Sequence, residues 1–287
     1  MRIAITGATG TLGSALTRTV LQRGETVVVL SRTPAALRRL HGLPVTAYTY
    51  DAAGICAALA AGPLDALIHT ACSYGRGGES AADLLESNAL APLRLALAAG
   101  TRVGRWLSIG TALPRGVSPY ALSKAHFAEW LEILPTGVVP PRDLLQLEHF
   151  YGPGDDPSKF LTRITRACIA GEPLDLTVGT QERDFIHLDD VVSAILAVLD
   201  RPQSGCRSIA VGSGASVAVR SVVESLNRLA GGRSHLRFGA VPVRANEPAR
   251  CVADTTALRQ LGWSPAISLT AGLAALVASE QSLRTPL

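Results

Sequence analysis

Tyr120 and Lys124, the ends of Tyr-Ala-Leu-Ser-Lys, are an acid and a cation four residues apart, a spacing that puts both side chains on one face of a helix. A phenol with its ordinary pKa of about 10 is a poor acid-base catalyst at neutral pH, and an ammonium held beside it favours the phenolate. The chemistry such a pair offers is proton transfer at a carbonyl or alcohol oxygen. Tyr and Lys at this spacing also occur on plain solvated helix faces, so the pair takes its meaning from the rest of the chain.

A second constellation, Gly7-Ala-Thr-Gly-Thr-Leu-Gly13, follows directly on the apolar run Arg2 to Thr6 and opens a helical stretch. Gly7 serves a tight turn, Gly10 lets a pyrophosphate approach the backbone, and Gly13 lets helix pack on strand. The amides and dipole of such a helix start attract phosphate. A dinucleotide is therefore expected here, with Thr9, Thr11 and Leu12 among its contacts. The second apolar run ends in Leu30-Ser31-Arg32 without an acidic residue to grip ribose hydroxyls. Ser31 and Arg32 suit a 2′-phosphate, which points to NADP(H) rather than NAD, and Arg38 is a further candidate. Asp51 has two readings, a contact to the adenine amino group or a cap on the Ala-rich stretch that follows.

These residues need elements to position them. Short β-branched runs alternate with Ala- and Leu-rich stretches through the first half, the pattern of βαβ units around a parallel sheet. Strands are expected at Arg2 to Thr6, Thr26 to Leu30, Val45 to Tyr48, Ala66 to His69, Arg105 to Ile109 and Val138 to Leu145. Helices are expected at Leu12 to Arg23, Pro34 to Leu40, Ser80 to Ala99 and Pro119 to Leu134. After Tyr151 the rhythm changes, with Gly- and Pro-rich loops at Tyr151-Gly-Pro-Gly-Asp and from Gly239 to Arg250. The fold class is α/β, a Rossmann-type doubly wound parallel sheet over 1–150 with a smaller α/β lobe over 151–287, some of whose segments return to the sheet.

Composition excludes several other classes. The 287 residues are 47% apolar and 17% charged, enough for a large core, and the net charge of +4 comes from scattered Lys and Arg. Without a basic block, neither nucleic acid nor a membrane surface is an expected partner. Five dispersed cysteines without metal-ligand spacing imply no disulfide framework and no zinc site. No apolar stretch reaches the roughly 20 residues that span a bilayer, and a cytoplasmic location is expected.

Taken together, the glycine loop, Tyr120 to Lys124 and Arg183-Asp-Phe-Ile-His-Leu-Asp-Asp-Val-Val resemble the extended short-chain dehydrogenase/reductase family, the NAD-dependent epimerase/dehydratase group. The resemblance runs over essentially the whole chain, through Leu261-Gly-Trp-Ser-Pro to the final helix. More narrowly, Ser108-Ile-Gly-Thr-Ala-Leu-Pro, Ser118-Pro-Tyr-Ala-Leu-Ser-Lys and Glu148-His-Phe-Tyr-Gly-Pro-Gly-Asp-Asp-Pro-Ser-Lys-Phe are similar to the CDP-abequose and CDP-paratose synthases, which are nucleotide-sugar 4-ketoreductases.

The resemblance implies roles for particular residues. Tyr120 and Lys124 would be catalytic together with Thr111 as the substrate-binding hydroxyl, Ser108 being its fallback. Asn88 would hold the lysine relay or its water, and Ala71, Asn88, Tyr120 and Lys124 would touch the cofactor. Arg183 would reach the substrate diphosphate, unless it is spent on an ion pair with Asp189 or Asp190. Arg244 and Arg250 compete for a second diphosphate contact. Leu176 and Thr177 would line the base pocket through backbone groups, and Glu148 and His149 would face the sugar or nicotinamide, with a core role for His149 still open. Ala112 and Leu113 stand where dehydratases carry an acidic pair, so elimination is not expected. What remains is NADPH-dependent reduction of the C4 ketone of a CDP- or dTDP-linked 4-keto-6-deoxy or 3,6-dideoxy sugar. A 4-epimerase with tightly held NAD and a non-catalytic NADP-binding sensor are the competing readings. Family members often dimerise through the helices carrying Asn88 and Tyr120, which implies a homodimer, although apolar positions there serve equally as internal core.

Overall fold

The runs Ile3-Ala-Ile and Val27-Val-Val are apolar at consecutive positions, as strands buried on both faces must be, and each of these six residues is at most 1% exposed. The computed structural model describes residues 1–283 apart from 36, 203, 244 and 245. Two units divide the chain, Met1–Gln146 with Ile195–Ile209 and Leu147–Ala194 with Ala210–Leu287.

The first unit is built from β1 (Arg2–Thr6), α1 (Thr11–Gln22), β2 (Thr26–Ser31), β3 (Val45–Thr49), α2 (Ala52–Ala60), β4 (Ala66–His69), α3 (Ala81–Leu85), α4 (Ala91–Ala99), β5 (Trp106–Thr111), α5 (Pro119–Ile133) and β6 (Arg142–Leu147). The later strand Cys206–Val211 joins them, and the sheet order is Cys206–Val211, β6, β5, β4, β1, β2, β3. β1 pairs in parallel with β2, Thr6 opposite Leu30, and with β4, Thr6 opposite His69. Chain order reverses on either side of β1, the switch point outside whose carboxyl edge doubly wound sheets bind ligands. Trp106, Phe127, Leu67 and Leu95 pack in one apolar cluster beside the sheet. Each such buried side chain contributes about 1.5–3 kcal/mol, which fixes the strand ends that carry the chemistry.

The second unit contains β7 (His149–Tyr151), α6 (Phe160–Ala170), β8 (Leu174–Leu176), β9 (Glu182–His187), α7 (Leu188–Leu199), β10 (Cys206–Val211), β11 (Ser216–Ala218), α8 (Val219–Leu229), β12 (Leu236–Phe238), α9 (Thr256–Gln260) and α10 (Leu269–Ser282), with α7 and β10 running across the division. β11, β9 and β7 form one sheet, β12 and β8 a second. Ile164, Val222, Leu226 and Leu276 fill its core. Asp184, fully buried, accepts the amides of Ser213, Gly214 and Ala253 and the Ser213 hydroxyl. Asp190 accepts the amides of Ala266 and Ile267.

Three expected elements differ. The helix expected over 34–40 is, among the described residues, a single 3₁₀ turn at Arg38–Leu40, because a segment this short between two strands cannot offset helix nucleation. The strand expected at Val138 to Leu145 begins at Arg142, because Pro140 and Pro141 have no N–H to give a ladder. The helix expected to run unbroken from Ser80 to Ala99 contains a π-helical turn, Glu86–Leu90. Pro92 cannot donate to the carbonyl of Asn88, one turn back, and this loosens the helix there.

Candidate active site

The Ser118 hydroxyl caps α5 by accepting the Ala121 amide at 3.1 Å, and Pro119 supplies a preset first helical residue. Tyr120 therefore lies in the first turn and Lys124 one turn further in, where it is only 4% exposed. Thr111 ends β5 in the same unit, and its hydroxyl is near enough to the Tyr120 phenol to lower its pKa. Its hydroxyl also accepts the Leu113 amide at 3.3 Å, the local turn that holds it in place. Ser108 is buried within the strand opposite His69, so Thr111 is the hydroxyl placed for chemistry.

Loss of water around the Tyr120 phenol pushes its pKa well up, and Cys72 adds to this; the Thr111 hydroxyl and the Arg76 guanidinium push it down. Burial also pushes the Lys124 ammonium down, with Cys72 opposing. His69 at the end of β4 is fully buried, bonded through Nδ1 to Thr6 Oγ1 at 2.8 Å, and held neutral by burial and by repulsion from Lys124. Cys72, Tyr74, Arg76 and His69 were not singled out in the sequence. The signal that could have found them is their place just beyond β4, at the same sheet edge as the glycine loop.

Asn88 does not face a water channel with its side chain. Its Oδ1 accepts the Ser73 amide at 2.8 Å, and its Nδ2 donates to the Ser73 carbonyl at 2.8 Å and to Ser123 Oγ at 3.0 Å. The amide group ties the turn after β4 to α5. Only a π-helical turn aims it there, and Ser123 in turn donates to the Tyr120 carbonyl. Asn88→Ala removes the partners of two part-buried backbone groups at a cost of about 1–2 kcal/mol. We expect a lowered Tm and a kcat reduced roughly tenfold with cofactor affinity kept, since the fault lies in how Tyr120 is positioned; unchanged kinetics together with a lowered Tm would confine Asn88 to stability.

At the edge formed by β1, β2 and β3, Gly7 adopts φ +68°, and a Cβ there would lie 2.6 Å from the Ala71 amide nitrogen. A Cβ on Gly13 would lie 2.2 Å from the Gly7 carbonyl oxygen, whereas one on Gly10 would meet only that oxygen at 3.2 Å. No side chain caps the start of α1, and no acid sits in its first turn. Bare backbone and a helix N-terminus fit a pyrophosphate. Leu12 is buried and Thr9 exposed. Thr11 accepts from Arg39 Nη1 at 3.3 Å, so Arg39, which the sequence reading passed over in favour of Arg38, is the cation that reaches the loop. Arg32 is exposed at the end of β2, and the Ser31 hydroxyl accepts the Thr33 amide. Asp51 caps α2 through the Gly54 amide at 2.7 Å and also accepts from Thr49 Oγ1; these bonds hold its carboxyl below the usual range. Of its two readings, the cap is what the structure displays.

In the second unit, Arg183 is 5% exposed and pairs with Glu247 at 2.8 Å while donating to the Glu182 carbonyl. The expected competing pair with Asp189 or Asp190 is corrected: Asp190 is committed to the 266–267 amides, and Asp189 lies beside His187. Arg250 pairs with Glu182 at 3.0 Å, alongside the strand that carries Arg183. Arg244 lies outside the described residues. Glu148 is buried with its carboxylate 3.5 Å from His149 Nδ1, and the His149 ring meets Phe185 edge-on. The carbonyl of Leu176 already accepts the amides of Gly239 and Val241, so it has less to offer a base than expected, and Thr177 Oγ1 accepts from Gln181.

The sequence pattern of the NAD dependent epimerase/dehydratase family matches residues 3–212. Among characterised proteins, the chain is 28% identical over 292 residues to the CDP-abequose synthase of Salmonella muenchen, covering 98% of each. Among solved structures, it matches the UDP-glucose 4-epimerase of Thermotoga maritima, solved with UDP-glucose, with a TM-score of 0.87 at 20% identity over 99% of both chains. MoeE5 in complex with UDP-glucose and NAD gives a TM-score of 0.84 at 25% identity, covering 99% of this chain and 100% of that one.

Proposed function

This chain belongs to the NAD dependent epimerase/dehydratase family, and we propose that within it the protein is an NADPH-dependent reductase of the C4 ketone of a CDP- or dTDP-linked 4-keto-6-deoxy or 3,6-dideoxy sugar. The observation that carries the reading is Tyr120, with the Thr111 hydroxyl beside it at the end of β5 and Lys124 one turn away, at a site where Ala112 and Leu113 offer no acid or base for elimination. Near full-length similarity to a CDP-abequose synthase supports the substrate class.

NADPH, when bound, supplies hydride to C4. Tyr120 donates its proton to the emerging alkoxide oxygen, Thr111 orients the carbonyl, and Lys124 stabilises the phenolate left behind and holds the nicotinamide ribose. His69, held neutral behind Lys124, adds no competing positive charge. In the second unit, Arg183 and Arg250 are assigned to the substrate diphosphate, Arg183 exchanging Glu247 for it. Arg32 with Arg39 takes the 2′-phosphate. The exposed apolar residues Leu90 and Leu97 beside the π turn, and Leu122, Trp130 and Ile133 on α5, support a homodimer through these helices. No helix among the described residues is long and apolar enough to cross a membrane, and we place the enzyme in the cytoplasm.

The test is NADPH oxidation followed by absorbance with CDP- and dTDP-linked 4-keto sugars, NADH serving as control. Turnover with one nucleotide supports the reductase; bound NAD after purification with interconversion of C4 epimers would replace it by an epimerase. In the same assay Arg32→Asp should raise KM for NADPH by roughly 10–100-fold through loss of a charge-assisted phosphate bond while leaving KM for NADH within a few-fold. Equal effects on both cofactors would refute the 2′-phosphate role.

A further inference from the structure

The segment between β4 and α3 is held at nearly every residue. Ser73 is fixed by Asn88 at both its amide and its carbonyl, its hydroxyl donates to Glu79 Oε1 at 2.9 Å, and Glu79 Oε2 accepts the Gly77 amide at 2.7 Å. Ser80 and Asp83 close a reciprocal cap where α3 begins. So rigid a turn with little apolar burial of its own is shaped to present something. What it presents is Tyr74, whose ring lies 4.9 Å from the Tyr120 ring at a 35° tilt, and Arg76, whose guanidinium carbon lies 4.9 Å from the centre of the Tyr74 ring.

We propose that Arg76 is a positioning residue for Tyr120: through the Tyr74 ring it clamps the reactive phenol, and it sets a second fixed positive charge near it. The proposal rests on the reading of Tyr120 as the proton donor but not on which ketone is reduced. The groups facing the phenol are Lys124 from its own helix, Thr111 from the end of β5, and Cys72 and Arg76 from the turn after β4, with neutral His69 behind Lys124. Of these, Lys124 is weakened as a cation by its burial and Cys72 opposes ionisation, so Arg76 supplies the charge that burial does not erode. It does so from an exposed position, where its removal leaves the core intact. A cation stacked on one aromatic ring that packs against another also restricts the tilt of the second ring.

Ultraviolet difference titration of the chain saturated with NADP⁺ reads Tyr120 directly once the Tyr120→Phe spectrum is subtracted, and it requires no substrate. Arg76→Gln should move the Tyr120 midpoint up by roughly one pH unit, the size expected for one partly screened charge at this range, and Arg76→Lys should restore it. Tyr74→Phe should leave the midpoint in place and Tyr74→Ala should raise it. With a reducible keto sugar, the alkaline limb of kcat should rise with the midpoint in Arg76→Gln while KM for NADPH stays constant. An unmoved midpoint in Arg76→Gln overturns the proposal. An Arg76-dependent midpoint in a protein that reduces none of the keto sugars would sustain it and count against the reductase reading alone.

Discussion

Tyr120→Phe is expected to lower kcat by about 10²-fold or more, the loss that follows removal of a general acid, with KM for NADPH nearly unchanged. The reason lies in what the phenol does and where it sits. In the proposed reduction an alkoxide emerging at C4 needs a proton as hydride arrives, and Tyr120, beside the Thr111 hydroxyl, is the acid proposed to give it. Phenylalanine keeps the ring that packs on Tyr74, so geometry and cofactor site survive. The pH profile sharpens the test. Burial pushes the phenol pKa up, so in the reducing direction the donor is charged with its proton at low pH and loses it as pH rises through its value in the complex. Wild-type kcat should decline over that limb, and the Phe variant should lack it. Single-turnover NADPH oxidation followed from pH 6 to above pH 10 measures both. A variant rate within threefold of wild type would remove Tyr120 from the chemistry.

Gly13→Ala should destroy cofactor binding and destabilise the free chain as well, whereas Gly10→Ala should spare the fold and affect only binding. A methyl on Gly13 would sit 2.2 Å from the Gly7 carbonyl oxygen, and that oxygen belongs to a turn pinned between α1 and the Ala71 backbone. Neither side can yield without moving β1, so an overpacking cost of about 3 kcal/mol is expected, with a Tm lowered by roughly 5–10 °C. On Gly10 the only close atom is the same oxygen at 3.2 Å, in an extended φ of −76° that any residue adopts. Its methyl would instead occupy the ground on which the pyrophosphate must lie, and the Kd for NADPH should rise at least tenfold at unchanged Tm. Calorimetry of the free variants and cofactor titration separate the two effects. Equal loss of stability in both would mean that Gly10 is needed for the turn and not for the ligand.

The α/β order, the parallel sheet and the phosphate loop were legible in the sequence because each is a local pattern. Consecutive apolar residues mark strands buried on both faces, and three glycines spaced around a helix start mark a turn with no room for side chains. Tyr120 and Lys124 were legible for the same reason, as one helical turn is enough to relate them. The strand at Val138 was misplaced although its evidence was also local, since Pro140 and Pro141 by themselves forbid a ladder before Arg142.

What the sequence alone determined, then, are relations that span a single element or turn: the fold class, the glycine loop and the acid-cation pair on α5. Only the tertiary structure decided the relations between elements. It placed Thr111 rather than Ser108 at Tyr120, spent Asn88 on Ser73 and Ser123, brought Arg39 rather than Arg38 to Thr11, gave Arg183 to Glu247, and laid Tyr74, with Arg76 over its ring, against Tyr120. The physical reason is range. Backbone geometry fixes neighbours three or four residues apart, but partners distant in the chain meet only where packing and strand register bring their elements together, and no spacing in the sequence encodes that meeting.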